Sequence, residues 1–472
     1  MKNETLENNG FPAMFERLKR NIGALRNSSA EKRIIRLEKL KNVIEKNEER
    51  ICKAVYDDFK KTPAETVLTE IYPVLSEIRL AIRKLRKWMK PVKVAAPVTF
   101  FGSQNFVRYE SKGVVLIISP WNYPFQLAVG PLVSAIAAGN AVVVKPSEIS
   151  SATATLIKDL LENVFPPEEL VVINGGAKET QRLLDLPFNH VYFTGSPAVG
   201  KIIMARAAEN LASVTLELGG KSPAIVSADY NIEKAAEKII WGKLINAGQT
   251  CIAPDYVIVH ESKVERFIES ARKSVEKLYG EIDKLKTNDD YCRIINAAHF
   301  NRLKFLYDDA VEKGAKVKFG GEFGDENFVA PTVLTNVSFE MKIMREEIFG
   351  PLMPVLTYSN QNEIFEIAEK NPHPLALYVF GSDKKFINEI LNGVQSGGAA
   401  INDTVVHFAN YNLPFGGTGT SGTGNAHGFY GFKTFSHERA VMRQAPFSPL
   451  KMMYPPYTEK VKKLIALTKK YF

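Results

Sequence analysis

Cysteine is scarce in this chain. Only Cys52, Cys251 and Cys292 occur among 472 residues, an odd number without CxxC spacing, which argues against a disulfide framework or a cysteine-rich zinc site. A reducing compartment, the cytoplasm, is expected. Long apolar runs are missing too: nothing approaches the roughly 18 consecutive apolar residues of a membrane span, and the longest runs, such as Val114 to Ile118, are strand-sized. Met1 to Gly10 is polar and Phe11 to Arg20 is broken by charges, so no signal peptide is read here. The seven histidines contain no HExxH pair and no GxSxG elbow occurs, which disfavours a zincin or a serine hydrolase. No metal site is expected.

Excess acid is also lacking, since the net charge is +9. The excess is local: Arg79 to Lys93 holds seven basic residues and no acid, and Lys451 to Phe472 holds six against Glu459. Together they carry +12, leaving the remaining body at about −3. A nucleic-acid partner is therefore not expected. The proline-spotted tail from Ala445 ends in a cationic amphipathic piece, Thr458 to Phe472. That pattern is compatible with peripheral membrane contact, but docking on the body or on a partner subunit is the expected arrangement.

What is present is a chain longer than one hydrophobic core usually supports, so two or more domains are expected. Glu31 to Phe59 places Ile34, Ile35, Leu37, Leu40, Val43, Ile44, Ile51 and Val55 at helical spacing, and a second helix runs from near Ala64 towards Met89. Asn105 to Tyr109 and Val114 to Ile118 read as two strands around a turn at Ser111-Lys112-Gly113. Apolar strands at Val114 to Ser119, Ala141 to Lys145, Leu170 to Asn174, Val191 to Thr194 and Val214 to Leu218 then alternate with helices such as Phe125 to Ala138 and Ala152 to Asn163. Strands buried on both faces and separated by crossover helices predict an α/β fold with an open parallel sheet. The alternation restarts after Gly220, which predicts a second such domain with Glu217 and Cys251 flanking the junction. Clefts of this kind often hold active sites.

Two glycine patterns mislead. Gly195 to Lys201 has phosphate-loop spacing, but Ile202 stands where a hydroxyl should bind magnesium. A strand entering a helix N-terminus is the simpler reading, and its free amides suit a phosphate. Gly417 to Gly422 matches the dinucleotide fingerprint literally, yet it lacks the flanking strand and helix and reads as a loop. More telling are Pro120-Trp121-Asn122-Tyr123-Pro124, Lys145-Pro146-Ser147-Glu148 and Phe193-Thr194-Gly195-Ser196, each at a strand's carboxyl end and so at the ligand edge of one sheet. To these are added Leu216-Glu217-Leu218-Gly219-Gly220-Lys221 and Gly248-Gln249-Thr250-Cys251, the latter ending ten residues past Trp241. A thiol and a carboxyl group delivered from neighbouring segments are parts for covalent catalysis followed by hydrolysis.

With Glu346-Glu347-Ile348-Phe349-Gly350-Pro351 and Leu413-Pro414-Phe415-Gly416-Gly417, these motifs resemble the aldehyde dehydrogenase superfamily across essentially the entire chain. The Gly248 to Tyr256 run and the ending from His427-Gly428 to His437 look most like its class 3, fatty-aldehyde-type branch. The resemblance implies two doubly wound parallel-sheet domains and a β-hairpin oligomerisation arm: 1–103 and 113–218 for the dinucleotide, 219–420 for catalysis, 104–112 and 421–445 for the arm, and 446–472 as a tail. A homodimer is implied, as is a small-molecule aldehyde substrate.

It also implies roles. Cys251 attacks the aldehyde as a thiolate, which calls for a pKa lowered from about 8.5. Asn122 and the backbone N–H of Cys251 hold the oxyanion. Hydride passes to the nicotinamide, and Glu217 activates the water that hydrolyses the resulting thioester. Trp121, Lys145, Glu148, Gly195, Ser196, Glu347 and Phe349 belong to the cofactor site, with Lys145 and Glu148 at the adenosine ribose, Ser196 at the pyrophosphate and Glu347 at the nicotinamide ribose. Glu148 favours NAD, because a carboxylate accepts from a ribose 2′-hydroxyl and repels a 2′-phosphate; NADP stays open. Trp241 and Phe415 match positions lining an apolar substrate funnel, which suits medium or long-chain aliphatic or aromatic aldehydes. Two alternatives remain: acyl transfer to coenzyme A instead of water, and an inactive homologue with a structural or binding role.

Overall fold

The computed structural model describes residues 10–446 and 449–471. Within the readings above, residues 1–9, 447–448 and 472 lie outside the described part. Val114–Ile118 and Ala141–Lys145 are buried at every residue, as their β-branched runs require. They lie inside a sheet of six strands ordered Gly422–Thr423, Ser213–Leu218, His190–Gly195, Val114–Ile118, Ala141–Lys145, Leu170–Val172. All pairings but the first are parallel. Alternation sends Val115, Ile117, Val142 and Val144 into one core and Val114, Leu116, Ala141 and Val143 into another on the opposite face. The helix Gly10–Arg26 closes the second core with Phe11, Met14, Phe15 and Leu18.

A second sheet of seven strands runs Lys316–Phe319, Thr332–Thr335, Leu352–Tyr358, Tyr256–His260, Pro223–Val226, Ala376–Phe380, Gly398–Ile401. It is parallel except at its first pairing. The chain leaves the first sheet at Leu218 and enters the second at Pro223. Gly219 to Ser222 therefore crosses the junction, with Glu217 two residues before Gly219.

Two expectations change. Asn105–Tyr109 and Val114–Ile118 do not form a hairpin. Gln104–Ser111 pairs instead with Val92–Val94 and with Ser436–Arg443, in a separate antiparallel sheet. Gly113, at φ +129, redirects the chain into the parallel sheet, where the Asn189 side chain accepts the Val114 N–H. The long helix expected over Glu31 to Phe59 is two helices, Ala30–Lys46 and Glu48–Phe59, joined at Asn47. The helix Glu459–Tyr471 has no fully buried residue, and Val461, Leu464 and Thr468 along one side of it are half-buried.

Candidate active site

Cys251 follows an unusual turn. Asn246, Ala247 and Gly248 have φ of 56°, 48° and 76°, a left-handed conformation that costs non-glycine residues of order 1 kcal/mol or more each. Side chains hold it. Asn246 Nδ2 donates to the carbonyls of Asn122 (2.8 Å) and Gln249 (3.0 Å). Gln249 Nε2 donates to Asn246 and Arg293 carbonyls (3.0 and 3.1 Å), and its Oε1 accepts the Ile295 N–H at 3.0 Å. At Gly248 any Cβ would strike the Gly350 carbonyl. Neither Asn246 nor Gln249 was assigned a role from sequence; the available signal was two amides, both fully buried, inside the apolar stretch from Ile239 to Ala253.

Asn122 is brought to the same place. It is buried, with its Nδ2 at 2.9 Å from the Gln249 carbonyl, which leaves the second amide hydrogen free to meet an oxyanion beside Cys251. The segment is pinned by Glu70, whose Oε2 accepts the N–H groups of Phe125 (2.8 Å) and Gln126 (3.1 Å) at the start of the helix Gln126–Ala138. A carboxylate there satisfies otherwise unpaired donors. Its other oxygen pairs with the fully buried Lys61 at 2.8 Å. Tyr123 lies under the same ammonium and is hydrogen-bonded to Thr250 at 2.6 Å.

Glu217 is buried, and neither carboxyl oxygen has a partner. Burial raises its pKa well above the usual carboxylate range. The half-buried Cys251 thiol is pushed up to about 12 by burial and by Glu347 and Glu217. Burial also brings Glu347 up to about 8.

The loop carrying Glu347 and Phe349 is clamped from below. Lys221 pairs with Asp255 and donates to the carbonyls of Ile343 (2.7 Å) and Glu346 (2.9 Å). Asp255 accepts the Ile348 N–H at 2.9 Å, and Arg302 donates to the carbonyls of Glu347 (3.0 Å) and Ile348. Phe349, at φ +53, meets Trp121 edge-on at 5.4 Å. Lys221, Asp255 and Arg302 were not singled out from sequence, although two buried opposite charges are costly unless paired.

One cleft of 670 Å³ is lined by Trp121, Asn122, Gly195, Ser196, Glu217, Cys251, Glu347 and Phe349. Ser196 caps the helix Pro197–Glu209, accepting the Val199 N–H. Lys145 and Glu148 form an ion pair at 2.9 Å but do not line this cleft. Cys251 and Glu217 also face a second, narrow cavity behind it, where Phe415 stacks on His427 at 5.0 Å. Trp241 lines neither space. It sits on the helix Ile232–Leu244, packed against the core of the second sheet.

The model of the aldehyde dehydrogenase family matches residues 7–441. Aldehyde dehydrogenase family 3 member A2 of Rattus norvegicus is 39% identical, over 94% of this chain and 91% of that protein. A substrate-bound AldH of Staphylococcus aureus superposes with a TM-score of 0.93 at 41% identity, covering 97% of this chain and 99% of that one. The aldehyde dehydrogenase of Bacillus cereus in complex with NAD+ gives a TM-score of 0.82 at 27% identity, covering 92% and 89%. The chain therefore belongs to the aldehyde dehydrogenase family, in its class 3 branch, and is an oxidoreductase acting on aldehydes with a nicotinamide cofactor.

Proposed function

We propose that the protein oxidises medium or long-chain aliphatic or aromatic aldehydes to carboxylic acids through a thioester on Cys251, in the cytoplasm and as a homodimer. The observation that carries this reading is the convergence of the Cys251 thiol, the unpartnered Glu217 carboxyl and the Asn122 amide on one cleft. The sulfur adds to the aldehyde carbonyl, and the oxyanion is held by Asn122 and the Cys251 N–H. Each such donor contributes about 3 kcal/mol in comparable sites. When bound, the nicotinamide supplies the acceptor for the hydride that leaves the former carbonyl carbon. Glu217 then takes a proton from water as its oxygen attacks the thioester, and the C–S electron pair returns to sulfur.

The residues present fit the dinucleotide. Ser196, Pro197 and Ala198, at the N-terminal end of a 13-residue helix, line the cleft, so the positive end of the helix dipole lies beside it. A Cβ on Gly219 would collide with the Glu347 carboxylate, and Glu347 Oε1 is buried without a partner. That oxygen is available to a ribose hydroxyl. We assign Lys145 and Glu148 to the adenosine ribose and NAD as the preferred cofactor. Glu148→Gln removes a carboxylate that would repel a 2′-phosphate, and kcat/KM for NADP relative to NAD is expected to rise about tenfold. An unchanged ratio in initial-rate kinetics would overturn that assignment.

The test is direct: with NAD and a medium-chain aldehyde, NADH absorbance should grow without coenzyme A. Turnover that requires coenzyme A, or binding without turnover, would overturn the hydrolytic reading.

A further inference from the structure

The cavity behind Cys251 contains a second buried carboxyl group. Glu77, on the helix Tyr72–Trp88, accepts the Gly428 N–H at 2.7 Å and the Ser134 hydroxyl at 3.5 Å, both on Oε1. Its Oε2 is buried and has no partner. The same cavity, of about 40 Å³, is lined by Glu217, whose two oxygens are likewise unpartnered, and by Thr194, whose hydroxyl is unpartnered as well. Thr194 and Glu217 are registered neighbours on adjacent strands. A space of that size lined by several polar groups suits a water molecule or two.

A structural role alone accounts for Oε1, which ties the helix Tyr72–Trp88 to the one starting at Gly428. It does not account for Oε2, because leaving a buried oxygen unpaired is costly. Resting on the hydrolytic reading above, we propose that Glu77 is a positioning residue for deacylation. It holds a water in the cavity shared with Glu217 and receives through it the proton that Glu217 removes from the attacking water. The attacking O–H breaks as the new C–O bond forms, and its proton passes to Glu217. That proton then moves through the cavity water to Glu77 Oε2, which restores Glu217 as a base. Release follows past Gln126 and Tyr411, at the half-buried mouth of the cavity.

The other titratable groups facing this space leave Glu77 as the acceptor. Burial raises the Tyr192 and Tyr411 phenols, so both stay protonated. Burial takes His427 down to about 4, so it stays neutral, with Nδ1 unpartnered. Glu77 is itself brought up to about 7 by burial, where it exchanges protons near neutrality.

Glu77→Gln tests this, since the carboxamide oxygen can still accept from Gly428. The first-turnover NADH burst should keep its rate, kcat should fall at least tenfold, and intact mass should show acyl adduct accumulating on Cys251 at steady state. Unchanged kcat without adduct, or an equal loss of burst and kcat, would overturn the proposal. If the variant does not fold, the native enzyme decides: kcat in H2O/D2O mixtures should curve with deuterium fraction, and a straight line would overturn it. NADH formation by the wild type that requires coenzyme A would instead sink the hydrolytic reading itself.

Discussion

Cys251→Ala is expected to abolish aldehyde oxidation, by about ten-thousandfold or more, while leaving NAD affinity within a few-fold. The size of the loss follows from the kind of step removed, since without a nucleophile no covalent intermediate forms and hydride must leave an unactivated aldehyde or its hydrate. The spared affinity follows from geometry. The turn Asn246 to Gly248 is held by Asn122, Arg293 and Ile295, none of which bonds through the sulfur. Activity by NADH absorbance and binding by quenching of protein fluorescence read the two quantities separately. A variant that loses both would mean that the thiol builds the cleft and does not react in it.

Glu217→Gln should separate the two half-reactions. The steady-state rate should fall about a hundredfold or more, as for loss of a general base, while the first burst of NADH persists. Its pH dependence carries the sign. The buried carboxyl has a raised pKa, so the basic form is the minor one at low pH and grows as pH rises. The acid limb of kcat in the native enzyme should therefore lie above the ordinary carboxylate range, and it should vanish in the variant. Equal loss of burst and turnover would remove Glu217 from deacylation. Retention of the limb would assign it to another group, with Glu347, at about 8, the first to examine.

How far these sites were legible in the sequence depended on how local the constraint is. Strand-ending motifs around Asn122, Ser196 and Glu217 could be read because short apolar runs and turn residues are sequential signals. The supports could not. Asn246 and Gln249 look like ordinary polar residues until a left-handed turn makes their amides necessary, and Lys221, Asp255 and Arg302 meet only through the fold. The hairpin misreading has the same origin: Ser111-Lys112-Gly113 is a sound turn signal, but pairing was decided by Ser436–Arg443, more than 300 residues away. Lys316–Phe319 was missed because two of its four residues are lysines on an edge strand, where charge protects against unwanted pairing.

The strand bearing Glu217 is flanked on one side by Thr194 and on the other by Gly422. That second neighbour is supplied by a segment about 200 residues further along the chain. A ribosome-bound chain can thus display its nucleophile long before the border beside its base is closed. Until Thr423 emerges, that border presents unpaired amides and carbonyls, a natural docking place for chaperones or for another unfinished copy.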